Sequence, residues 1–242
     1  MKYADKEITS VSGLLQAMAA ERPEGRAVWY RGQTNAAWRL TPSIARHAQA
    51  GAELTLFKRF KQNALQFMLQ RPEDDWEWMF IMQHHQLPTR LMDWTESPLV
   101  ALYFAVENDV QAQQSAALWS LTPFELNQSS GFIATHDYEI PAFGDDKDLD
   151  AYLPTHTGRM SLGPIAAIGM RNNLRIQAQQ GVFTVSREVA VPLDEGNRDH
   201  LWRYIIPAAA KPDIRRELAY LNIGKLALFP ELTNVALHAV EQ

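Results

Sequence analysis

One segment near the middle of the chain, residues 83–105, constrains what the chain can fold into more than any other. It reads QHHQLPTRLMDWTESPLVALYFA. Ionisable and aromatic side chains crowd between two apolar helix candidates, and they are His84, His85, Arg90, Asp93 and Trp94. A plain helix-to-helix connection has little need of this combination, whereas binding and catalytic side chains are commonly carried by connections that rigid elements position. The segment therefore predicts two packed helices with a functional site on the loop between them.

The composition indicates a globular protein with a sizeable core. Of the 242 residues, 46% are hydrophobic and 21% are charged, and the formal net charge is −5. These fractions are ordinary for globular domains. The acidic balance makes nucleic acid an unlikely partner, although it does not exclude a local basic groove. Because the chain has no cysteine, it can form neither disulfides nor thiolate metal sites, and we expect a cytoplasmic location and no bound metal.

No membrane partner is expected from the distribution of apolar residues. The longest apolar run, residues 99–106, is far shorter than the roughly 20 residues that a membrane-spanning helix needs. The first ten residues, MKYADKEITS, contain no apolar stretch of signal-peptide length.

Hydrophobic periodicity indicates a mixture of helices and strands, so the expected class is α+β. The predicted helices cover about residues 9–20, 53–70, 75–84, 97–107, 213–222 and 232–240, and the predicted strands about 27–30, 116–121, 165–170, 182–185 and 200–206. Gly224 is expected to end the helix at 213–222. Residues 123–160 are acidic and rich in turn formers, which predicts an irregular insertion. Since no linker is evident, we expect a single domain over residues 1–242 with its core at about 28–232.

Arg31 is the first candidate site residue, because it follows a predicted buried strand and precedes Gly32. Its planar guanidinium suits a phosphate or a carboxylate, and Gly32 would let a ligand or another backbone come close. A structural ion pair with an acidic residue is an equally reasonable interpretation.

The adjacent histidines His84 and His85 are a poor metal pair. On a helix neighbouring side chains diverge by about 100°, so the two rings do not easily share one ion. Each histidine is either a hydrogen-bonded structural residue or a group that assists proton transfer.

Arg90, Asp93 and Trp94 follow Pro88, and each has a structural and a functional interpretation. Arg90 and Asp93 are expected to pair and make the loop rigid, or Asp93 caps the helix that follows. Trp94 is either a core residue or a wall on which a flat ligand stacks.

Thr95 and Ser97 lie at the predicted start of a helix, where backbone N–H groups and the helix dipole favour an anion. Helix capping explains Ser97 equally well. Gln179, in a later segment, is a neutral amide that suits ribose hydroxyls and cannot act as a general acid or base.

Three stretches together resemble one family, the FRG domain, which is named for an aromatic-Arg-Gly motif. They are WYRGQ at residues 29–33, the segment at residues 83–105, and RIQAQQGVF at residues 175–183 followed by LFPEL at residues 228–232. The resemblance extends from about Val28 to Leu232 and implies a single FRG-type domain. It does not by itself imply a reaction.

A more distant similarity is to arginine-type ADP-ribosyltransferases. Tyr30-Arg31-Gly32 is similar to the aromatic-Arg-Gly of their first strand, and Thr95 to Ser97 with ALYFA at residues 101–105 is similar to their Ser/Thr turn and apolar helix. This similarity implies a split, antiparallel-rich sheet with helices mainly from residues 50–107. The catalytic glutamate of that family would fall at Gln179-Gln180, where this chain has no carboxylate. Asp93, Glu96 and Glu188 are the alternatives that the spacing leaves open.

The resemblances imply binding of NAD or a similar nucleotide, with ADP-ribosyl transfer to a protein target or NAD hydrolysis as the reaction. In that case Arg31 would hold phosphate, Thr95 and Ser97 would shape the pocket, and Gln179 would contact ribose. Tyr30 or Trp94 would stack on a ring. The catalytic candidates are His84, His85 and Asp93, with Gly32 and Arg90 among the binding residues. The alternative is a non-catalytic ligand- or protein-binding sensor, as in phage defence or a prophage.

Overall fold

Seven strands form one sheet at the centre of the computed structural model, which describes residues 2–21, 25–47, 53–132, 140–158, 162–170, 173–196 and 199–241. The strands are β1 (Lys6–Glu7), β2 (Trp29–Gln33), β3 (Leu91–Thr95), β4 (Ala116–Leu121), β5 (Ile165–Ile168), β6 (Gly181–Val185) and β7 (Leu201–Ile206). They lie in the order β1-β7-β4-β2-β3-β6-β5. β1 pairs in parallel with β7, and the other strand pairs are antiparallel.

The described chain also forms nine α-helices, and the expected α+β class is confirmed. They are α1 (Val11–Glu21), α2 (Glu53–Ala64), α3 (Asp75–His84), α4 (Pro98–Val106), α5 (Pro123–Ser129), α6 (Leu174–Ala178), α7 (Lys211–Tyr220), α8 (Lys225–Leu228) and α9 (Leu232–Glu241). The expected N-cap at Ser97 is present, since its side chain accepts a hydrogen bond from Val100 N, and the side chain of Asp74 caps α3 by accepting one from Glu77 N.

Two separate cores cover one face of the sheet. Tyr30 of β2 belongs to the core that α1, α4 and α7 build over β2, β4 and β7. Phe183 of β6 belongs to the core that α2 and α3 build over β3, β5 and β6. The register shows that both rings lie on the same face of the sheet. Tyr30 is opposite Thr95 of β3. Asp93 precedes Thr95 by two residues, so it lies on the same face, and it is opposite Phe183 of β6.

The sheet splits between these cores, at β2 and β3. Tyr30 and Thr95 form the one residue pair between the two strands, whereas β2 forms five pairs with β4 and β3 forms five with β6. From Arg31 onward the two strands therefore separate, and a cleft opens between the halves of the sheet. The expected split, antiparallel-rich sheet is present.

Three local expectations were wrong. Residues 91–95 form strand β3 and not a loop, because their backbone pairs along its whole length with β6. The segment 123–160 is less irregular than expected, since it begins with α5 and a 3-10 turn at Lys147–Tyr152 carries two buried side chains; residues 133–139 and 159–160 lie outside the described chain. Gly224 does not end α7 but precedes α8.

Gly32 allows α4 to lie directly on β2. A Cβ atom built at this position would be 2.0 Å from the carbonyl oxygen of Ala101 and 2.5 Å from the backbone nitrogen of Ala105. Because these are backbone atoms of a helix, no side-chain rotation can relieve the clash. The glycine is therefore required by the packing of the helix, in addition to any role in the cleft.

Gly32→Ala should destabilise the protein by about 3 kcal/mol, the upper part of the usual cost of overpacking, since a helix backbone must move. Urea unfolding measures this change. Gly224→Ala is the matched control, because nothing lies within 4 Å of its added Cβ, and it should stay within about 1 kcal/mol of the parent. Equal effects of the two substitutions would contradict the packing role of Gly32.

Candidate functional site

The cleft at the sheet split is a cavity of about 1210 Å³. Both halves of the sheet line it, with residues 30–33 from β2 and residues 93–95 from β3, together with the end of α3, one side of α4 and α6. Small-molecule pockets are commonly about 300–1,000 Å³, so this cleft can hold a large ligand.

Arg31 lies at the point where the strands part. Its Nη1 donates a hydrogen bond to the backbone carbonyl of Asp93 at 2.5 Å, and its buried Nε has no partner among the described residues. Burial lowers the pKa of Arg31 from its usual value, the carboxylate of Asp93 opposes this shift, and Arg46 adds to it. An arginine stays charged even so. The cleft thus contains a desolvated cation with an unused donor.

Other charged side chains surround the same cavity. The cations are Arg39, Arg46, Arg71 and Arg175, and the acids are Glu73, Glu77, Asp93 and Glu107. Arg39 is already engaged by Asp194 and Glu195, each at 2.6 Å. Arg31 forms no ion pair with a carboxylate in the described chain, and its burial and unpartnered Nε distinguish it as the cation that an anionic ligand would complete.

His84 and His85 both line the cavity at the end of α3. Their rings are 5.0 Å apart and nearly perpendicular. Burial lowers the pKa of His84, the positive charges of His85 and Arg175 add to the effect, and Glu231 opposes it. A neutral imidazole at this position can accept a proton.

Arg90 and Asp93 do not pair with each other, contrary to expectation. Arg90 points away from the cleft and binds Glu53 of α2, with Nε–Oε2 at 2.9 Å and Nη2–Oε2 at 2.5 Å, while its Nη1 donates to the carbonyl of Tyr152 at 2.6 Å. The binding role expected for Arg90 is therefore replaced by a structural one. The carboxylate of Asp93 faces the cleft and accepts a hydrogen bond from Gln83 Nε2 at 2.5 Å.

Tyr30 and Trp94 border the cavity, but their rings belong to the core. Tyr30 is 2% exposed and Trp94 is 3% exposed, and the Trp94 indole donates to Thr184 Oγ1 at 3.0 Å. They are thus poorly placed to stack on a ligand. Trp38, which is 48% exposed, and Phe104 are the accessible aromatic residues of the cleft.

Thr95, Ser97 and Gln179 form a structural corner beside the cleft. Thr95 Oγ1 donates to the Gln179 carbonyl at 2.7 Å and accepts from Ser97 N at 3.0 Å. Ser97 acts as a helix cap and does not line the cavity. The side chain of Gln179 donates from Nε2 to the carbonyl of Leu228 at 3.0 Å. Thr95 and Gln179 line the cavity, whereas Ser97 does not and contacts Thr95 through its backbone nitrogen.

Glu107 is a cavity residue that the sequence patterns did not indicate. It follows Ala101 and Phe104 at three-residue steps along α4, so all three lie on one side of the helix, which faces the cavity. That spacing could have indicated Glu107, but only once the cleft-facing side of α4 was known. Arg175 and Trp38 were also missed, because only the fold shows that α6 and the loop after β2 face the cavity.

Most of the residues that line the cavity lie in a part of the chain that matches a known protein family. Residues 26–114 match the family model of the FRG domain. This range contains β2, α2, α3, β3 and α4, whereas α6 and β6 lie outside it. Neither the search of curated proteins nor the search of solved structures found a match.

Two features are absent from the described chain, both within the FRG match and outside it. None of its helices combines the length and apolar character that a membrane crossing requires. Its histidines and acidic residues form no group of three or more that could hold a metal ion.

Arg90→Met should destabilise the protein by about 3–5 kcal/mol, because it leaves the carboxylate of Glu53 buried without its counter-charge. Asp93→Asn should change stability by less than about 0.5 kcal/mol, since asparagine can still accept from Gln83 on an exposed part of the cleft. Chemical unfolding of both variants tests the contrast. If Asp93→Asn lowers the free energy of unfolding more than Arg90→Met does, Asp93 rather than Arg90 makes this segment rigid.

Proposed function

We propose that the cleft binds a nucleotide of the NAD type. The observation that carries this proposal is the buried, charged guanidinium of Arg31, whose Nε lacks a partner and which forms no ion pair with a carboxylate in the described chain. A buried donor without a partner costs free energy, and a guanidinium matches the oxygens of a phosphate group. A diphosphate at this point would supply the missing acceptor.

The other cleft residues suit the remaining parts of a dinucleotide. The exposed indole of Trp38 and the ring of Phe104 offer surfaces for flat rings. The amides of Gln33 and Gln83 and the hydroxyl of Thr95 are neutral groups of the kind that bind ribose hydroxyls. The cavity volume of about 1210 Å³ leaves room for a second reactant beside the nucleotide.

The reaction that we propose is cleavage of the bond between nicotinamide and ribose, either by ADP-ribosyl transfer to a protein or by hydrolysis. The similarity of residues 30–32 and 95–105 to arginine-type ADP-ribosyltransferases supports this choice. Among the catalytic candidates, Asp93 offers a carboxylate beside Arg31 and His84 offers a neutral imidazole. His85 lies beside His84 on the wall of the cleft, and we assign it no further role.

One observation favours a second candidate, a non-catalytic sensor that binds a ligand or a protein, as in phage defence or a prophage. The corner where the similarity would put a catalytic glutamate holds Gln179, and its amide already donates to the carbonyl of Leu228. An amide in that state can support a bound nucleotide but cannot transfer a proton.

Calorimetric titration with NAD, combined with chromatographic detection of nicotinamide, separates the candidates. Binding with nicotinamide release is expected for the enzyme, and binding without release for the sensor. Failure of NAD, NADP and ADP-ribose to bind at millimolar concentration would reject the nucleotide proposal.

Arg31→Lys should weaken NAD binding by about 1.5–3 kcal/mol, a roughly 10- to 150-fold rise in Kd, because lysine cannot present the same planar pair of donors. Arg216→Lys is the matched control, since Arg216 pairs with Asp213 on the surface of α7 and does not line the cleft. Unchanged affinity in Arg31→Lys together with a lower melting temperature would make Arg31 a purely structural residue.

A further inference from the structure

A smaller cavity of about 190 Å³, here called the side cavity, adjoins the cleft where β2 and β3 part. Residues 42–43, 86–87 and 91–92 form walls of its own. The residues that it shares with the cleft are Arg31, Thr41, Arg46, Gln83 and Asp93. The side cavity is smaller than the roughly 300–1,000 Å³ of pockets that hold a whole small-molecule ligand. It therefore suits one chemical group of a ligand whose main part lies in the cleft.

The charged residues on the wall of the side cavity are Arg31, Arg46 and Asp93. The carboxylate of Asp93 already accepts a hydrogen bond from Gln83 Nε2 at 2.5 Å. Two guanidinium groups and one carboxylate leave an excess of positive charge, although the whole chain carries −5. Three other arginines line the cleft but not the side cavity, and they are Arg39, Arg71 and Arg175. A shared wall with Arg31 in both cavities thus distinguishes Arg46 from the other cations of the cleft.

Both arginines of the side cavity have hydrogen-bond donors that the fold does not use. Arg31 donates from Nη1 to the Asp93 carbonyl, whereas its Nε and Nη2 form no hydrogen bond in the described chain, and Nη2 is the more accessible of the two. Arg46 donates from Nη1 to the Thr41 carbonyl at 2.7 Å, and within the same part of the chain it forms no ion pair with a carboxylate. An anion in the side cavity can therefore accept from both guanidinium groups.

The backbone that carries Arg46 is fixed to the chain just before β3. Arg46 ends a short 3-10 turn that begins at Ser43. Ser43 Oγ donates to the Thr89 carbonyl at 3.2 Å and accepts from Thr89 N at 3.0 Å. The guanidinium of Arg31 is held by the carbonyl of Asp93 on β3 itself. One segment, residues 89–93, thus positions both arginines, and a site that is positioned in advance loses less freedom when a ligand binds.

The two guanidinium groups repel each other. Burial is the largest cause that lowers the pKa of Arg31, the carboxylate of Asp93 opposes it, and the positive charge of Arg46 adds to it. Like charges that the fold holds near each other disfavour the charged state. A phosphate group carries the opposite charge and accepts several hydrogen bonds, so it would relieve this repulsion.

We propose that the side cavity is a phosphate subsite, in which Arg31 and Arg46 bind the same phosphate group of the nucleotide. This proposal rests on the proposed function and adds a second binding residue to it. The oxygens of a phosphate group can accept from two planar guanidinium groups at once. The group has two sources with the same chemistry, which are the diphosphate of NAD and a terminal phosphate on a ribose, as in NADP.

Arg46→Gln tests the subsite, because glutamine lacks the charge and the planar fork of donors. NADP carries both kinds of phosphate, so its Kd in calorimetry should rise at least about tenfold, as expected for lost hydrogen bonds to a charged group. Arg71→Gln is the matched control, since Arg71 is also an exposed arginine of the cleft wall but does not line the side cavity. It should raise the Kd by less than about threefold. Both variants should melt at the temperature of the parent protein, because both side chains are exposed.

The Kd for NAD identifies the source of the phosphate. A similar rise for NAD and NADP in Arg46→Gln assigns the diphosphate to the side cavity. A rise for NADP alone, from a parent protein that prefers NADP to NAD, assigns the ribose phosphate to it.

Two kinds of result overturn the subsite, and they differ in what they say of the proposed function. If the Kd for NADP is unchanged in Arg46→Gln, or rises equally in Arg46→Gln and Arg71→Gln, the subsite is rejected and nucleotide binding in the cleft stands. If the parent protein binds none of NAD, NADP and ADP-ribose, the proposed function and the subsite are rejected together.

The double variant Arg31→Lys with Arg46→Gln tests whether the two arginines share one phosphate group. Residues that bind the same group act non-additively. The rise in the Kd for NADP should therefore be smaller, by at least about twofold, than the product of the rises in the two single variants. A rise equal to that product would show that the arginines bind separate groups and would overturn the shared subsite.

Discussion

The direct contact between α4 and β2 at Gly32 is the constraint on which the cleft depends. Because position 32 has no side chain, the backbone of α4 lies against the strand, and Ala101 and Phe104 turn towards the cavity. The start of the same helix is tied to the other half of the sheet, since Thr95 binds the Gln179 carbonyl and Glu96 N binds the Gln180 carbonyl at 3.1 Å. A single helix thus sets the width of the cleft, and a shift of α4 would move every residue on that wall.

Arg31 and Arg90 show how the partner of an arginine distinguishes a structural role from a candidate binding role. Arg90 is buried with Glu53, which binds both its side chain and its backbone nitrogen, so its charge is neutralised within the fold. Arg31 is also desolvated, but its hydrogen-bond acceptor is the backbone carbonyl of Asp93 rather than a carboxylate. A buried donor without a partner lowers stability, and such a group is more easily understood as part of a site that a ligand completes. Their different partners, rather than their sequence context, distinguish the two residues.

Local signals in the sequence predicted most of the elements, and long-range partners account for the errors. The cap at Ser97 was readable because a cap depends on residues three positions away. β3 was missed because Asp93 made a five-residue strand resemble a polar loop, and its identity as a strand comes from pairing with β6, some ninety positions later. The expected pair of Arg90 with Asp93 failed for the same reason, since the true partner, Glu53, is supplied by another helix.

The candidate site is composite, and this affects what an FRG match can imply. Arg31, Asp93 and Glu107 lie within the matched residues 26–114. The cations that tune Glu107 lie outside it, on α6, α7 and α8. Because burial and neighbouring charges set the pKa of a carboxyl group, chains with the same residues in the matched region can differ in the pKa of that group. An FRG match alone therefore does not determine the electrostatics of the cleft, because part of its charge comes from α6, α7 and α8.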